Sequence, residues 1–147
     1  MSYIPVELRK SVQDLAKAQC EYCLIPEENS YASFEIDHII AQKHGGETVL
    51  DNLAYSCPIC NKHKGSDIAS YDSETEGLTP FYNPRKNNWQ QHFDLTNDGY
   101  IAPKSAMGRV TVKLLQLNRA ERVKERKTLL QFGFLMMLGE RESNRLQ

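Results

Sequence analysis

The sequence has no hydrophobic run long enough to cross a membrane. Its longest apolar stretch, residues 129–138, is about half of the ~20 residues that a membrane-spanning helix needs, and Gln131 and Gly133 interrupt it. The apolar core of a secretion signal is also missing, because residues 2–10 carry charge. We therefore predict a cytoplasmic protein that does not enter a membrane.

A large excess of charge of one sign is absent as well, since 18 Lys and Arg face 19 Asp and Glu and the formal net charge is −1. The distribution is uneven, however. Residues 1–100 hold 8 basic and 15 acidic side chains, whereas residues 101–147 hold 10 and 4. A basic surface for an acidic partner is therefore predicted mainly in the last third, although a solvated charged helix explains the same pattern.

Internal repeats and low-complexity tracts are lacking too, and 147 residues suffice for one domain with an appendage. We predict a core with a following loop and small hairpin over residues 1–104. Residues 105–147 are predicted as a C-terminal helical extension that packs on the core or forms a homodimer. The apolar segment 129–138 serves either purpose, because a helix that is apolar on nearly all sides must be buried.

Periodicity and turn residues predict an α+β order of elements. Predicted helices cover residues 5–19, 58–64, 107–117 and 119–138, with Leu8, Val12 and Leu15 on one face of the first and Asn118 as the N-cap of the last. Strands are predicted at 31–40 and 48–50, and a hairpin joins 93–95 to 100–102 across a turn at 97–99. Residues 66–80 are polar and predict a loop or linker.

All four cysteines fall into two Cys-x-x-Cys pairs, Cys20/Cys23 and Cys57/Cys60. In a reducing compartment this spacing favours a metal over disulfides, and four thiolates are a common tetrahedral ligand set for zinc. Since no ligand position would stay open, the predicted zinc is structural. Two redox-active thiol pairs are the alternative.

Between and beside these pairs lie polar residues that are weak signals one at a time. Asp37 and His38 adjoin each other near the end of a predicted strand, Asn52 follows 14 residues after His38, and Asn61 comes directly after Cys60. An isolated His is more often structural, and an Asn before a helix or turn is usually a cap. Only the joint arrangement raises a functional hypothesis.

That arrangement resembles the HNH endonuclease family, in its H-N-N variant, over residues 20–65. The resemblance implies a ββα-metal (HNH or treble-clef-like) nuclease core on a structural zinc. A further similarity to small stand-alone bacterial HNH proteins rests on the segments 81–85, 92–93, 108–112 and 117–119 and on Trp89.

The family resemblance also implies a role for each site residue. His38 would be the general base that activates water, since a neutral imidazole accepts protons near neutral pH. Asn52 would orient that imidazole through its side-chain carbonyl. Asp37 and Asn61 would offer hard oxygens to a catalytic Mg²⁺ or Mn²⁺.

Three cations are candidates for phosphate contacts: Lys64, Arg85 and Arg109. The alternatives are a solvated lysine and, for the arginines, a buried arginine paired with an acidic core residue. His44 and His63 have no matching role and are predicted to be structural or exposed, and His92 is predicted to pack against an aromatic face.

The sequence thus predicts a metal-dependent endonuclease acting on DNA, most simply double-stranded DNA. Two alternatives stay open. One is a zinc-stabilised nucleic-acid-binding module without activity, which the cysteines fit equally well. The other is a nuclease of the same type acting on RNA, because such a site recognises phosphate rather than sugar.

Overall fold

The computed structural model of the chain describes residues 3–135. Helices and strands alternate along it, and every described sheet is a two-stranded antiparallel pair. The elements are α1 (Val6–Ala16), β1 (Glu35–His38), β2 (Leu53–Ser56), α2 (Pro58–Lys64), β3 (Ala69–Asp72), β4 (Gly77–Pro80), α3 (Trp89–His92), β5 (Phe93–Leu95), β6 (Ile101–Pro103), α4 (Ala106–Leu114) and α5 (Ala120–Gln131). The fold is a mixed α/β arrangement, as the sequence predicted.

Strands β1 and β2 form the central pair, with Asp37 opposite Ala54 and His38 opposite Leu53. All four residues of β2 are buried, and α1 packs against this strand. Helix α2 follows β2 after a single residue, Cys57, and packs back on β1. The order is strand, strand, helix, so one short stretch of chain brings the ends of all three elements together.

Two details of the predicted N-terminal half are wrong. Helix α1 ends at Ala16 rather than at residue 19, because Lys17 and Ala18 adopt left-handed backbone conformations. Its inner face consists of Val12 and Ala16, while Leu15 is 53% exposed.

The second strand is also not at 48–50. Residues Leu50–Asn52 form a short 3-10 turn, and the strand begins at Leu53. The reason is burial, since the β2 side chains fill the core between α1 and β1.

The segment predicted as a linker contains a hairpin instead. Strands β3 and β4 pair with Asp72 opposite Gly77, across an acidic turn. Arg109 of α4 binds Asp72 with two nitrogen–oxygen distances of 2.9 and 3.0 Å, and Thr75 donates to the same carboxylate. The carboxylate therefore attaches the hairpin to α4, a tertiary contact that a polar sequence does not signal.

The second hairpin, β5–β6, lies where the sequence predicted it. Asn118, however, does not cap the last helix. Its amide bonds the backbone of Ile101 in both directions, at 2.9 and 2.8 Å, and extends the pairing of β6. Arg119 is the N-cap residue of α5.

The predicted C-terminal helix stops at Gln131. Leu129 and Leu135 are buried, but Phe132 and Phe134 are 71% and 59% exposed. The predicted burial on all sides is therefore wrong for these two residues, and positions 136–138 lie outside the described residues. Within residues 3–135 no helix has the length and apolar composition needed to cross a membrane.

Replacing Asp72 by Asn should destabilise the protein near neutral pH. The Arg109 guanidinium, helped by Thr75, holds the pKa of the Asp72 carboxyl well below its usual range. Because its folded-state pKa is depressed, the ionised Asp72 carboxylate stabilises the folded protein at pH values above the unfolded-state pKa of about 3.9. This contribution is lost as the pH falls through the folded-state pKa. Urea unfolding should therefore separate Asp72→Asn from wild type at pH 7 and bring the two closer together as the pH falls below about 4.

Asp94→Asn is the matched control, since Asp94 faces Lys104 at 3.5 Å with 65% of its side chain exposed. It should unfold close to wild type at both pH values, because exposed ion pairs contribute little. Equal stability of Asp72→Asn and wild type at pH 7 would contradict the assignment.

Candidate active site and metal centre

The four cysteine sulfurs converge on one point. All four residues are buried and unpaired by disulfides, and their Sγ atoms all lie within 4.8 Å of one another. The Sγ atoms of Cys23 and Cys57 are 3.8 Å apart. A tetrahedral zinc with zinc–sulfur bonds of ~2.3 Å places its sulfurs about 3.8 Å apart. The cysteines are thus positioned to bind a metal ion, and the geometry fits structural zinc.

Each Cys-x-x-Cys pair forms the same tight turn. The backbone N–H of Cys23 donates to Cys20 Sγ at 3.5 Å, and that of Cys60 donates to Cys57 Sγ at 3.3 Å. Cys57 is at the same time the N-cap of α2. The helix therefore starts on one of the four clustered cysteines, so the position of the cluster determines where the later residues of α2 lie.

Asp37 lies on the side of β1 that faces α2. It is 7% exposed, and its Oδ2 accepts from Lys64 Nζ at 3.0 Å and from the Tyr22 hydroxyl at 3.4 Å. Burial raises the pKa of Asp37, while the Lys64 charge acts in the opposite direction. Lys64 also donates to the His38 carbonyl at 3.2 Å. A buried lysine therefore fixes the end of β1 to α2.

Asn61, one helical turn before Lys64 on α2, contacts the same side of β1. Its amide nitrogen donates to the Glu35 carboxylate. Glu35 and Asp37 are two apart on a strand, and Asn61 and Lys64 are three apart on a helix, so each pair shares one face. The structure thus places Asp37 and Asn61 on facing sides of β1 and α2, where Asn61 contacts Glu35, a residue that sequence reasoning missed although its spacing from Asp37 is a usable signal.

His38 points into the loop after β1. Its Nε2 lies 2.9 Å from the Thr48 hydroxyl, and its side chain is half-buried. The contact to the imidazole that we predicted for Asn52 is made by Thr48 instead.

Asn52 holds that loop in place. Its Oδ1 accepts from the Ile40 N–H at 2.9 Å, and its Nδ2 donates to the carbonyls of Ile40 and Glu47 at 3.0 and 2.9 Å. Gly46 packs against the same backbone, where an added Cβ would overlap the Ile40 carbonyl. Asn52 therefore acts on the shape of the loop that carries Thr48, and only through it on His38.

The three cations predicted for phosphate contacts are engaged within the chain. Lys64 is 2% exposed and paired with Asp37. Arg85 forms a two-pronged ion pair with Glu21 at 2.8 and 2.7 Å, and Arg109 binds Asp72. The alternative of an arginine paired with an acidic residue describes both arginines in this structure, and their contact with a substrate stays a prediction.

The remaining histidines also have partners. His44 lies 3.1 Å from the Ser66 carbonyl, and His63 contacts Gln116 and Arg119 at the junction of α4 and α5. His92 bonds Ser105 at 2.7 Å, with its ring centroid 6.4 Å from that of Tyr82.

A comparison with protein-family models matches residues 20–67 to the HNH endonuclease family. The matched segment covers a third of the 147 residues and contains the cysteine cluster, Asp37, His38, Asn52 and Asn61. Comparisons with curated proteins and with solved structures gave no significant match. Residues 20–67 are thus similar to the HNH endonuclease family, and this similarity suggests a nuclease. The further resemblance noted for segments between residues 81 and 119 lies beyond the matched range.

The metal centre predicts that Cys57→Ser loses both zinc and the fold. The purified wild-type protein should contain about one zinc per chain, because binding to such a site is coupled to folding. Metal analysis and thermal melting followed by circular dichroism measure the two effects. Lys62→Ser, an exposed position in α2, should keep both properties. Stoichiometric disulfides without metal in the wild type would contradict a zinc site.

Proposed function

We propose that the HNH domain is the active centre of a metal-dependent endonuclease that hydrolyses phosphodiester bonds of DNA on a ββα-metal core. The observation that carries the proposal is that Glu35 and Asp37 on β1 bond Asn61 and Lys64 on α2, inside the segment matched to the family. The tetracysteine cluster fixes the start of α2 and thereby this placement.

Asp37 and Asn61 are the proposed ligands of the catalytic ion. A carboxylate and an amide oxygen are hard donors of the kind that Mg²⁺ and Mn²⁺ prefer, and Glu35 supplies another carboxylate beside them. Such an ion would bind the scissile phosphate and offset the charge that develops on the leaving oxygen. Lys64 contributes by placing its ammonium against Asp37 and by holding the His38 backbone.

His38 is the proposed general base. Thr48 contacts Nε2 at 2.9 Å, so in this proposal the second ring nitrogen, Nδ1, accepts the proton of the attacking water. A neutral imidazole takes a proton from water as the oxygen attacks phosphorus, and the 3′ oxygen leaves. Asn52 supports this step by shaping the loop that presents Thr48.

The support for DNA as substrate comes from the family and from the basic last third of the chain. Exposed Lys43, on the loop after β1, is available to a phosphate next to the scissile one. A homodimer through the C-terminal helix stays a prediction. Exposed Phe132 and Phe134 at the end of α5 are where it would form.

Two alternative functions are separated by one assay. Supercoiled plasmid is incubated with the protein in Mg²⁺, Mn²⁺ and chelator, and a single-stranded RNA of matched length is tested in parallel. Metal-dependent nicking or linearisation supports the proposal, and cleavage of RNA alone reassigns the substrate. Binding without cleavage in every lane supports the inactive nucleic-acid-binding module.

Asn61→Ala should abolish Mg²⁺-supported cleavage while zinc content and melting temperature stay near wild type. The reason is that Asn61 is an ion ligand in the proposal but only bonds Glu35 in the folded protein. Lys62→Ala, the next residue on α2, is the control and should cleave at a rate within a few-fold of wild type. Full activity of Asn61→Ala would place the ion elsewhere.

His38→Ala should reduce cleavage by roughly 10²–10⁴, the usual contribution of a general base. DNA binding should survive, since it depends on phosphate contacts made by other side chains. Plasmid nicking and a binding assay on the same preparation measure the two quantities.

His44→Ala is the matched control, because His44 is exposed and contacts only the Ser66 carbonyl among the contacts described for it. It should retain activity. If His38→Ala still nicks plasmid within a few-fold of wild type, with the same metal dependence, His38 is not the base.

A further inference from the structure

Helix α5 buries charge where a helix normally buries apolar side chains. Its buried residues are Arg122, Arg126 and Leu129, with the arginines 5% and 0% exposed. The arginines are four apart and therefore lie on one face. Lys124 and Lys127, by contrast, are exposed. Because an unpaired buried cation is costly, something inside the protein must offset two positive charges.

Arg122 reaches the metal centre directly. Its Nη2 donates to Cys23 Sγ at 2.9 Å and to Cys57 Sγ at 3.2 Å, so one nitrogen bridges the two Cys-x-x-Cys pairs. Its one carboxylate contact in the described chain is Glu125, at 3.4 Å. Burial lowers the pKa of Arg122, but the thiolates of Cys23 and Cys57 outweigh that effect and hold it above its ordinary value.

Arg126 has no carboxylate within ion-pair distance in residues 3–135. It donates to the carbonyls of Gly99 and Leu117 at 2.7 and 2.5 Å and to Asn118 Oδ1 at 3.2 Å, while its buried Nη1 has no partner. Carbonyl dipoles orient this guanidinium but carry no net charge to neutralise it. Arg126 lies one helical turn after Arg122 on the same buried face of α5, and that face meets the cysteine cluster through the contacts of Arg122 with Cys23 and Cys57.

The formal charges match. A divalent zinc bound by four thiolates is a dianion, and two guanidinium groups form a dication. We propose that Arg122 and Arg126 are the counter-cations of the tetrathiolate metal centre, Arg122 by N–H···S hydrogen bonds and Arg126 by its charge, and that the loaded centre holds α5 against the core. Both are positioning residues, and the inference does not depend on nuclease activity.

Zinc takes all four cysteines as thiolates, so the loaded centre carries a fixed formal charge of −2. Loss of the metal would therefore remove the fixed dianion that faces the two arginines. The docking of α5 and the binding of zinc are consequently coupled. If bound zinc stabilises the docked position of α5 by a given free energy, docking of α5 strengthens zinc binding by the same free energy.

Arg122→Met and Arg126→Met test the two roles separately, with Lys124→Met as the control that removes a positive charge from the exposed side of α5. Zinc affinity is measured by competition with a chromogenic chelator. Both arginine variants should bind zinc roughly 10–100-fold more weakly, as when partners of metal ligands are removed, and Lys124→Met should stay within about twofold. Equal affinity of all three variants would overturn the proposal.

Cobalt substitution separates the hydrogen bond from the charge. N–H···S bonds stabilise the sulfur lone pairs, so their loss in Arg122→Met should shift the thiolate-to-cobalt charge-transfer band to longer wavelength. Arg126 bonds no sulfur among the described contacts, so Arg126→Met should leave the wavelength of that band unchanged. A shift in neither variant would rule out the sulfur contact.

Hydrogen exchange of residues 120–131 in the zinc-loaded protein reports the docking of α5. Exchange should be faster in both arginine variants and unchanged in Lys124→Met. Arg122→Lys keeps the charge but has a single donor nitrogen, so it should shift the cobalt band while α5 stays protected, and it provides the test if Arg122→Met does not fold. Unchanged protection in Arg126→Met together with unchanged zinc affinity would refute the charge role.

Discussion

The convergence of four cysteine sulfurs is the constraint on which the described structure depends. Cys23 and Cys57 are 34 residues apart, and the chain between them carries β1, the loop with Thr48 and Asn52, and β2. Closing so long a segment costs conformational entropy, and its two-stranded sheet is too small to be stable alone. A metal held by these cysteines would offset that cost, which would explain how so little regular structure forms a defined site.

The position of the cysteine cluster determines where the residues of α2 lie. Cys57 is the N-cap residue and Cys60 lies one turn further, so Asn61 and Lys64 occupy the next positions on a helix whose start is fixed. Lys64 then ties the helix to Asp37 and to the His38 carbonyl. The cysteines of the second pair and the candidate site residues Asn61 and Lys64 therefore follow one another on one short helix. A shift in the position of these cysteines would displace the candidate active site.

The parts of this arrangement that were predictable from sequence are those with local signals. The cysteine spacing, the strand before Asp37, the helix after Pro58 and the hairpin around residues 97–99 each depend on residues within one turn or pair of strands. The missed features depend on distant partners. The β3–β4 hairpin looks like a polar linker because Asp72 is attached by Arg109, which is 37 residues away.

The metal centre shows the same contrast. Its ligands could be read from spacing, whereas Arg122, which bonds two of them, is 65 residues beyond Cys57 and no periodicity marks it. The family resemblance assigned Asn52 to orient His38, but the Asn52 side chain instead bonds the backbone of Ile40 and Glu47. Neither the contacts of Arg122 nor those of Asn52 can be predicted from the sequence alone.

Buried ion pairs explain why charge was the least reliable guide to function. Arg85, Arg109 and Lys64 each have a carboxylate partner within about 3 Å that is at most 11% exposed, and Arg109 has the exposed Glu74 as a second partner. A cation desolvated in this way does not need a substrate to account for its presence. In a chain with nearly equal numbers of positive and negative side chains, a basic residue near an active site is informative about substrate only once its internal partner is known. The same argument makes α5 unusual, because within residues 3–135 its two buried arginines share a single carboxylate partner, Glu125, at 3.4 Å from Arg122. Their counter-charge has to be sought in the metal centre rather than in acidic side chains.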